Sequence, residues 1–222
     1  GVVPIVSDEM YGDGVEAARV RGRLIIANTR TIADLIYTAL CLASGRFDDA
    51  DTAHLDATPL TDFISDYAGG SAGAPYKWVP FLEDASFDAK RNVLPIQLPG
   101  DGEPLTFERG IGMGAPFTLA YSFGPGEAVA RFSANVGLHP AAGDGGSVKF
   151  IVKINGAVVA EAGPIASDSP GQVITAAIPD DPVITLELIT ERGEGSVSVE
   201  DANLAVWAQP VLHAATNLDP QG

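Results

Sequence analysis

Residues 146–157 read Gly146-Ser-Val-Lys-Phe-Ile-Val-Lys-Ile-Asn-Gly-Ala157, and this stretch decides the fold class. Large apolar side chains at Val148, Phe150 and Val152 alternate with the residues between them, which is the period of a β-strand with one buried face. Asn155-Gly156 accepts positive φ at both central positions of a tight turn, so it predicts a hairpin into a second strand.

Similar β-rich runs recur on both sides of this hairpin, with Gly, Pro or Asp between them. About eight short strands with turn signals at this spacing are typical of a β-sandwich or barrel. The sequence therefore predicts a mainly β domain. Its predicted strands are Phe117–Phe123, Val129–Leu138, Gly146–Ile154, Ala157–Ala162, Gln172–Ile178, Val183–Thr190, Ser196–Val199 and Leu204–Leu212.

The first third of the chain has a different, mixed α/β character. Arg19–Ala27 is β-branched and alternating and predicts a strand, whereas Thr31–Ser44 has helical apolar spacing and predicts one helix near 31–44. A second short helix is predicted at Pro59–Tyr67, and the small, flexible run Ala68–Pro75 predicts a linker. The predicted organisation is a mixed segment at 1–75, a β-sandwich at 76–212 and a tail at 213–222.

The net charge of the chain limits the classes of partner that it can bind. The 222 residues carry a formal net charge of -16, which disfavours binding to nucleic acid or to an anionic membrane surface. No apolar run reaches the roughly eighteen residues of a membrane span, so membrane insertion is not expected. Cations and neutral ligands such as sugars remain compatible, although the acidity can also serve solubility alone.

Four motifs follow one another in the second part: Gly110–Pro116, Ala130–Gly137, Gly145–Val152 with its Asn-Gly turn, and Gly193–Asn203. In this order they resemble the NPCBM module, a carbohydrate-binding domain attached to many secreted glycosidases, over roughly residues 78–212. The resemblance implies a galactose-binding-like jelly-roll sandwich and an extracellular or cell-envelope location. The periodicity alone shows only an all-β domain.

The chain departs from that family at two places. Gly114 stands where the family usually has a histidine, and Glu200-Asp-Ala-Asn-Leu204 stands where the family usually reads Asp-His-Ala-Asp/Asn-Trp. If those positions recognise sugar, this chain binds a different sugar, binds weakly or does not bind. The departures leave the scaffold prediction intact and weaken the ligand prediction.

A sugar site needs an aromatic platform and polar groups for the hydroxyls. Tyr76 and Trp78 lie in a proline-containing run with Phe81 just before the sandwich and are candidates for that platform. The competing interpretation is that these rings pack the linker against the sandwich, and it is the favoured one. Trp207, in the last strand, is expected in the core or on a sheet face.

An acidic and amide cluster supplies the polar candidates. Glu200, Asp201 and Asn203 lie between two β runs and are predicted to contact a ligand hydroxyl. Calcium binds about six to eight oxygens, so Asp201 together with Asp144 is the candidate calcium site. The favoured alternative is an acidic turn that is simply solvated.

Catalysis finds little support in the sequence. The three histidines, His54, His139 and His213, have no metal-ligand spacing, and no nucleophile elbow, phosphate loop or dinucleotide fingerprint occurs. We therefore expect a protein that is not an enzyme.

Two functions of different classes fit this sequence. The first is a secreted carbohydrate-binding module, with calcium as a candidate cofactor, that tethers a larger parent protein or a cell surface to glycans. The second is a structural or assembly protein, in which the sandwich is a building block and residues 1–75 contact other subunits.

Overall fold

The computed structural model describes part of the chain in detail, and the chain divides into two units, Gly1–Ala53 and His54–Gly222. In the first unit only Ile32 is described, and its side chain is exposed. The strands predicted at 19–27 and 196–199, and the rest of the helix predicted at 31–44, lie outside the described residues. Those residues are 32, 57–70, 76, 79–88, 90–124, 129–194 and 203–214.

The second unit is built from short and medium antiparallel strands, which confirms the mainly β prediction. Its described residues form fifteen strands and a 3₁₀ turn at Leu60–Asp62. The strands are β1 (Ala57–Pro59), β2 (Tyr67–Gly69), β3 (Phe81–Glu83), β4 (Ser86–Phe87), β5 (Val93–Leu94), β6 (Ile96–Leu98), β7 (Leu105–Phe107), β8 (Gly110–Met113), β9 (Phe117–Phe123), β10 (Val129–Leu138), β11 (Ser147–Ile154), β12 (Ala157–Ala166), β13 (Gln172–Ala177), β14 (Ile184–Arg192) and β15 (Ala205–Ala214).

Two sheets make the sandwich. One has the order β13-β10-β15-β8-β3, with β1 also paired to β15, and the other has the order β12-β11-β14-β9-β2. Inward-facing side chains of both sheets form a single apolar cluster, in which Phe132 and Trp207 of the first sheet join Phe150 of the second. The Trp207 ring lies edge-on to Phe150 at 5.3 Å between centroids, so the expected core position of Trp207 is confirmed.

The hairpin predicted from Asn155-Gly156 joins β11 and β12. Both residues have positive φ, 50° and 80°, as a tight turn of this class requires. The Asn155 side chain also accepts a hydrogen bond from the backbone N–H of Thr185 at 2.8 Å, which ties the turn to β14. Val148, Phe150 and Val152 are fully buried, as their alternation predicts.

The start of the sandwich differs from the sequence prediction. The helix predicted at Pro59–Tyr67 is wrong: only Leu60–Asp62 forms a 3₁₀ turn, and Phe63 is already extended. Pairing with distant strands decides this region, because β1 pairs with β15 and β2 pairs with β9. Gly69, within the predicted linker, is therefore part of a strand, and β1 at Ala57–Pro59 already pairs with the six-stranded sheet.

A β-bulge divides β15 into two halves. β8 pairs with Ala205–Ala208, and β1 pairs with Val211–His213 on the same edge. Between them Gln209 has φ 51°, and the register with β10 shifts by one residue at the same level. The Gln209 N–H donates to the Arg109 carbonyl at 2.9 Å, which holds the bulge in place.

A second, small apolar cluster lies on the outer face of the six-stranded sheet. Ile96, Leu98 and Phe107 of the β6–β7 hairpin pack there on Val206 and Ala208 of β15. This hairpin covers the half of β15 that precedes the bulge. The half that follows the bulge lies beside the hairpin. Among the described residues, no helix is long and apolar enough to cross a membrane.

Candidate functional site

One end of the sandwich gathers the loops that the sequence singles out. Ala205, at the start of β15, is paired with Met113 at the end of β8 and with Leu138 at the end of β10. The segments 114–116, 139–146 and 203–204 therefore meet, and we call these described residues the loop end. The His139 N–H donates to the Leu204 carbonyl at 2.8 Å, which fastens two of these segments together.

The first segment of the loop end, which joins β8 to β9, is held by side chains of β14. The carbonyl of Gly114 accepts a hydrogen bond from the fully buried Thr190 hydroxyl at 2.6 Å. Arg192 Nε donates to the Ala115 carbonyl at 3.2 Å. These two contacts from β14 fix the connection between β8 and β9, and Gly114 within it is buried.

His139 braces the second segment. Its Nδ1 accepts the Ala141 N–H at 3.0 Å, so its Nε2 carries the proton and donates to the Pro95 carbonyl at 3.1 Å. The side chain is buried, and this burial lowers the pKa of His139 below its ordinary value. The ring is therefore neutral and structural, and sequence reasoning missed this role because Pro95 is far away in the chain.

The structure brings together some of the predicted ligand residues. Asn203 lies at the loop end with only 8% of its surface exposed, and Asp144 is exposed in the 139–146 segment. Trp78, Glu200 and Asp201 lie outside the described residues. Within the described part of the chain, no group of three or more His, Cys, Asp or Glu side chains is placed to hold a metal. The calcium site of Asp144 and Asp201 thus stays a prediction.

Tyr76 does not occupy the position that a sugar platform needs. Its side chain has no exposed surface, and its hydroxyl pairs with the Ser86 hydroxyl at 2.8 Å and accepts the Phe87 N–H at 3.1 Å. Burial raises the pKa of Tyr76. A ring enclosed in the core cannot stack on a sugar, so the ligand role is wrong for Tyr76 and the packing interpretation describes it.

The Gly110-Ile-Gly motif has a packing explanation. A Cβ at Gly112 would lie 2.5 Å from the Ala85 carbonyl and 2.8 Å from the Tyr76 hydroxyl. A Cβ at Gly110 would lie 2.7 Å from the Ile96 side chain. Glycine is thus required at both positions for close approach, as the sequence indicated.

The described residues therefore form an antiparallel two-sheet sandwich, and the three segments of the loop end meet at one of its ends. The family profile described as the NPCBM/NEW2 domain matches residues 61–213, so the chain belongs to the NPCBM/NEW2 domain family. The family resemblance of the motifs is confirmed, and the match begins before the predicted boundary at Tyr76. A search of curated proteins found no match.

Solved structures share the fold. The tandem CBM51 modules of the family 98 glycoside hydrolase from Streptococcus pneumoniae SP3-BS71 superpose with TM-score 0.60 at 23% identity, over 72% of this chain and 47% of theirs. The CBM51 from Clostridium perfringens GH95, in complex with methyl-galactose, gives 0.56 at 20% identity, over 70% of this chain and 99% of that one.

A third structure comprises the CBM51-2 and INT domains of Clostridium perfringens ZmpB, solved also in complex with GlcNAc. It gives TM-score 0.57 at 21% identity over 71% of this chain. The present chain spans 31% of that structure's length. At these identities the similarity establishes the β-sandwich fold.

Proposed function

We propose that this protein is a non-catalytic carbohydrate-binding module of an extracellular or cell-envelope protein. The observation that carries the proposal is the match of the NPCBM/NEW2 family across residues 61–213, almost the whole sandwich. Two solved structures of the same fold are CBM51 modules in complex with methyl-galactose and with GlcNAc. By analogy, the ligand is a neutral glycan and the module serves a larger parent protein.

Charge and site chemistry agree with a neutral ligand. A net charge of -16 repels anions over the whole surface, whereas an uncharged sugar pays no such electrostatic penalty. Asn203 supplies an amide at the loop end, and it heads the short segment that leads into β15. Glu200 and Asp201 precede it in the chain and complete the proposed polar contacts.

The sugar specificity should differ from that of family members with the two histidines. Gly114 has no side chain to offer, and its carbonyl is already occupied by Thr190. A ligand at the loop end would therefore meet backbone and amide groups where other members present imidazole. We propose that this difference changes the preferred sugar.

Calcium is part of the proposal. Asp144 and Asp201 would provide carboxylate oxygens, which are the ligands that calcium prefers. Calorimetric titration with calcium tests this directly. The two samples are the protein as purified and the protein after EDTA has removed any bound metal. Heat of binding that disappears in Asp144→Asn supports the site, and no heat at millimolar calcium contradicts it.

The test of sugar binding is a glycan array followed by calorimetry on the full chain, with and without calcium. We expect binding to galactose- or GlcNAc-containing glycans, weakened in Asn203→Ala. The matched control is Asp180→Asn, an exposed turn residue that follows β13 at the opposite end of the sandwich. Absence of binding to every glycan in both conditions contradicts the proposal.

One observation favours the second function, an assembly protein. β12 is the terminal strand of the five-stranded sheet, and it exposes Val158 and Val159 at 52% and 43%. An exposed apolar edge strand can pair with another chain. Light scattering after size-exclusion chromatography tests the assembly function. A protein that stays monomeric at every concentration contradicts this function, and an oligomer that Val159→Lys dissociates supports it.

A further inference from the structure

A groove runs across the outer face of the six-stranded sheet. Its larger part is a cavity of about 290 Å³ over β1, β15, β10 and β13, lined chiefly by Ser133, Asn135, Gln209 and His213. Its smaller part, about 170 Å³, lies against the β6–β7 hairpin and is lined by Phe107, among others. Asn135 lines both parts, so they form one extended depression, which we call the sheet groove.

The lining of the sheet groove is largely apolar, with a few polar side chains and almost no charge. Among the described residues that line the larger part there is no Lys, Arg, Asp or Glu side chain, and Asp101 is the one acid along the smaller part. Asn135 and Gln209 each offer an amide that can donate and accept hydrogen bonds at once. Such groups match the hydroxyls of an uncharged sugar, which also donate and accept.

The groove also contains the apolar surface that a sugar ring needs. Phe107 is half-buried, with the remainder of its side chain facing the smaller cavity. Val173, at the side of the larger cavity, is 71% exposed. Phe107 shares the smaller cavity with the Asn135 amide, and Asn135 shares the larger cavity with the Gln209 amide, so residues far apart in the chain supply both an aromatic ring and polar groups.

Backbone strain at Gln209 points to a role for its side chain. A non-glycine residue at φ 51° is in a strained backbone conformation, which glycine would adopt without strain. The bulge turns the exposed Gln209 side chain into the groove lining. β-bulges commonly re-aim a side chain next to a binding site, and a glutamine kept at a strained position agrees with that use.

The Ser133–His213 pair completes the floor of the groove. Ser133 Oγ and His213 Nε2 are hydrogen-bonded at 2.8 Å, across the paired strands β10 and β15. Partial burial and the nearby Arg131 charge lower the pKa of His213. The pair is therefore uncharged at neutral pH, like the rest of the larger cavity.

From this geometry we infer that the sheet groove is a second saccharide site, which binds a segment of a neutral oligosaccharide chain along Gln209, Asn135 and Phe107. The inference rests on the proposed function, and it places chain binding apart from the loop end. An elongated groove contacts several sugar units at once, whereas a single sugar unit is held at the loop end and gains nothing from the groove. Chain length should therefore matter for affinity.

The experiment is calorimetry on the full chain with four probes: methyl-galactose, GlcNAc and the β-1,4-linked tetrasaccharide of each. We expect at least one tetrasaccharide to bind about tenfold or more tightly than its monosaccharide. Gln209→Gly and Asn135→Ala should each remove most of that gain and leave the monosaccharide affinity unchanged. Gln209→Gly relieves the backbone strain, so loss of binding in this variant is not a loss of folding.

The outcomes separate the two proposals. A tetrasaccharide that binds with equal affinity to the wild type, Gln209→Gly and Asn135→Ala overturns the groove and leaves the proposed function standing. Equal affinities for monosaccharide and tetrasaccharide overturn it as well. Failure of all four probes and of a broad glycan array to bind the wild type overturns the proposed function and the groove together. Asp180→Asn is the control that should behave as wild type.

Discussion

Replacing Tyr76 with phenylalanine removes one oxygen atom from the core and keeps the ring. The hydroxyl pairs with Ser86 Oγ at 2.8 Å and accepts the Phe87 N–H at 3.1 Å, and Ser86 is fully buried. Tyr76→Phe leaves both groups without this partner, and a buried polar group left unsatisfied costs about 1–3 kcal/mol. Phe87 is half-buried, so its N–H contributes at the low end. We expect a loss of about 2 kcal/mol.

Urea unfolding at pH 7, followed by tryptophan fluorescence, measures this loss as a lower midpoint at unchanged slope. Ser86→Ala and the double variant complete a mutant cycle, in which the double variant should lose less than the sum of the two single variants. Because burial raises the pKa of Tyr76, wild-type stability should also fall as the pH rises above about 10. Tyr76→Phe should lack that alkaline loss.

Glycan binding by Tyr76→Phe provides the decisive contrast. The ring of Tyr76 is fully buried and so cannot reach a bound ligand, and the affinity of the variant should equal that of the wild type under conditions where both are folded. A variant with wild-type stability and lost glycan binding would refute the core assignment and restore Tyr76 as a ligand residue.

Three further predictions concern the loop end and the bulge. Thr190→Val removes the donor to the Gly114 carbonyl and should lower the free energy of unfolding by about 1–2 kcal/mol; an unchanged melting temperature would contradict a stabilising role for this hydrogen bond. Gln209→Gly should raise stability by about 1 kcal/mol as the strain is relieved, and destabilisation would show that the glutamine side chain supports the fold. Burial lowers the pKa of His139, so the unfolded chain takes up its proton first and stability falls as the pH drops below about 6.5. The urea midpoint should therefore fall more between pH 7.5 and pH 5.5 in the wild type than in His139→Gln, and equal falls in the two proteins would contradict this reasoning.

The sequence correctly predicted the strands and the turn that depend only on residues close together in the chain. The strands Phe117–Phe123 and Val129–Leu138 have the predicted bounds, because side-chain alternation along a strand reports directly on burial of one face. The Asn155-Gly156 turn was equally readable, since positive φ is an intrinsic preference of those two residues. Glycines at 110 and 112 also indicated close packing correctly.

The sequence prediction was wrong where contacts between distant segments of the chain decide the structure. Pro59–Tyr67 has no long helical stripe of its own, and its outcome depends on β15 and β9, which lie far along the chain. Tyr76 looked like a loop aromatic until the fold placed Ser86 and Phe87 around its hydroxyl. A burial of this kind has no local signature, because its partners are chosen by the tertiary structure.

The sequence by itself determined the β-sandwich, its central hairpin and the family to which the chain belongs. Those properties follow from side-chain period, turn preference and motif order, which are all one-dimensional. The tertiary structure alone decided the β-bulge at Gln209 and the meeting of Phe107, Asn135 and Gln209 in one groove. The physical reason is that a bulge is an offset between two strands, and a groove is a relation among several strands, so neither property belongs to any single stretch of sequence.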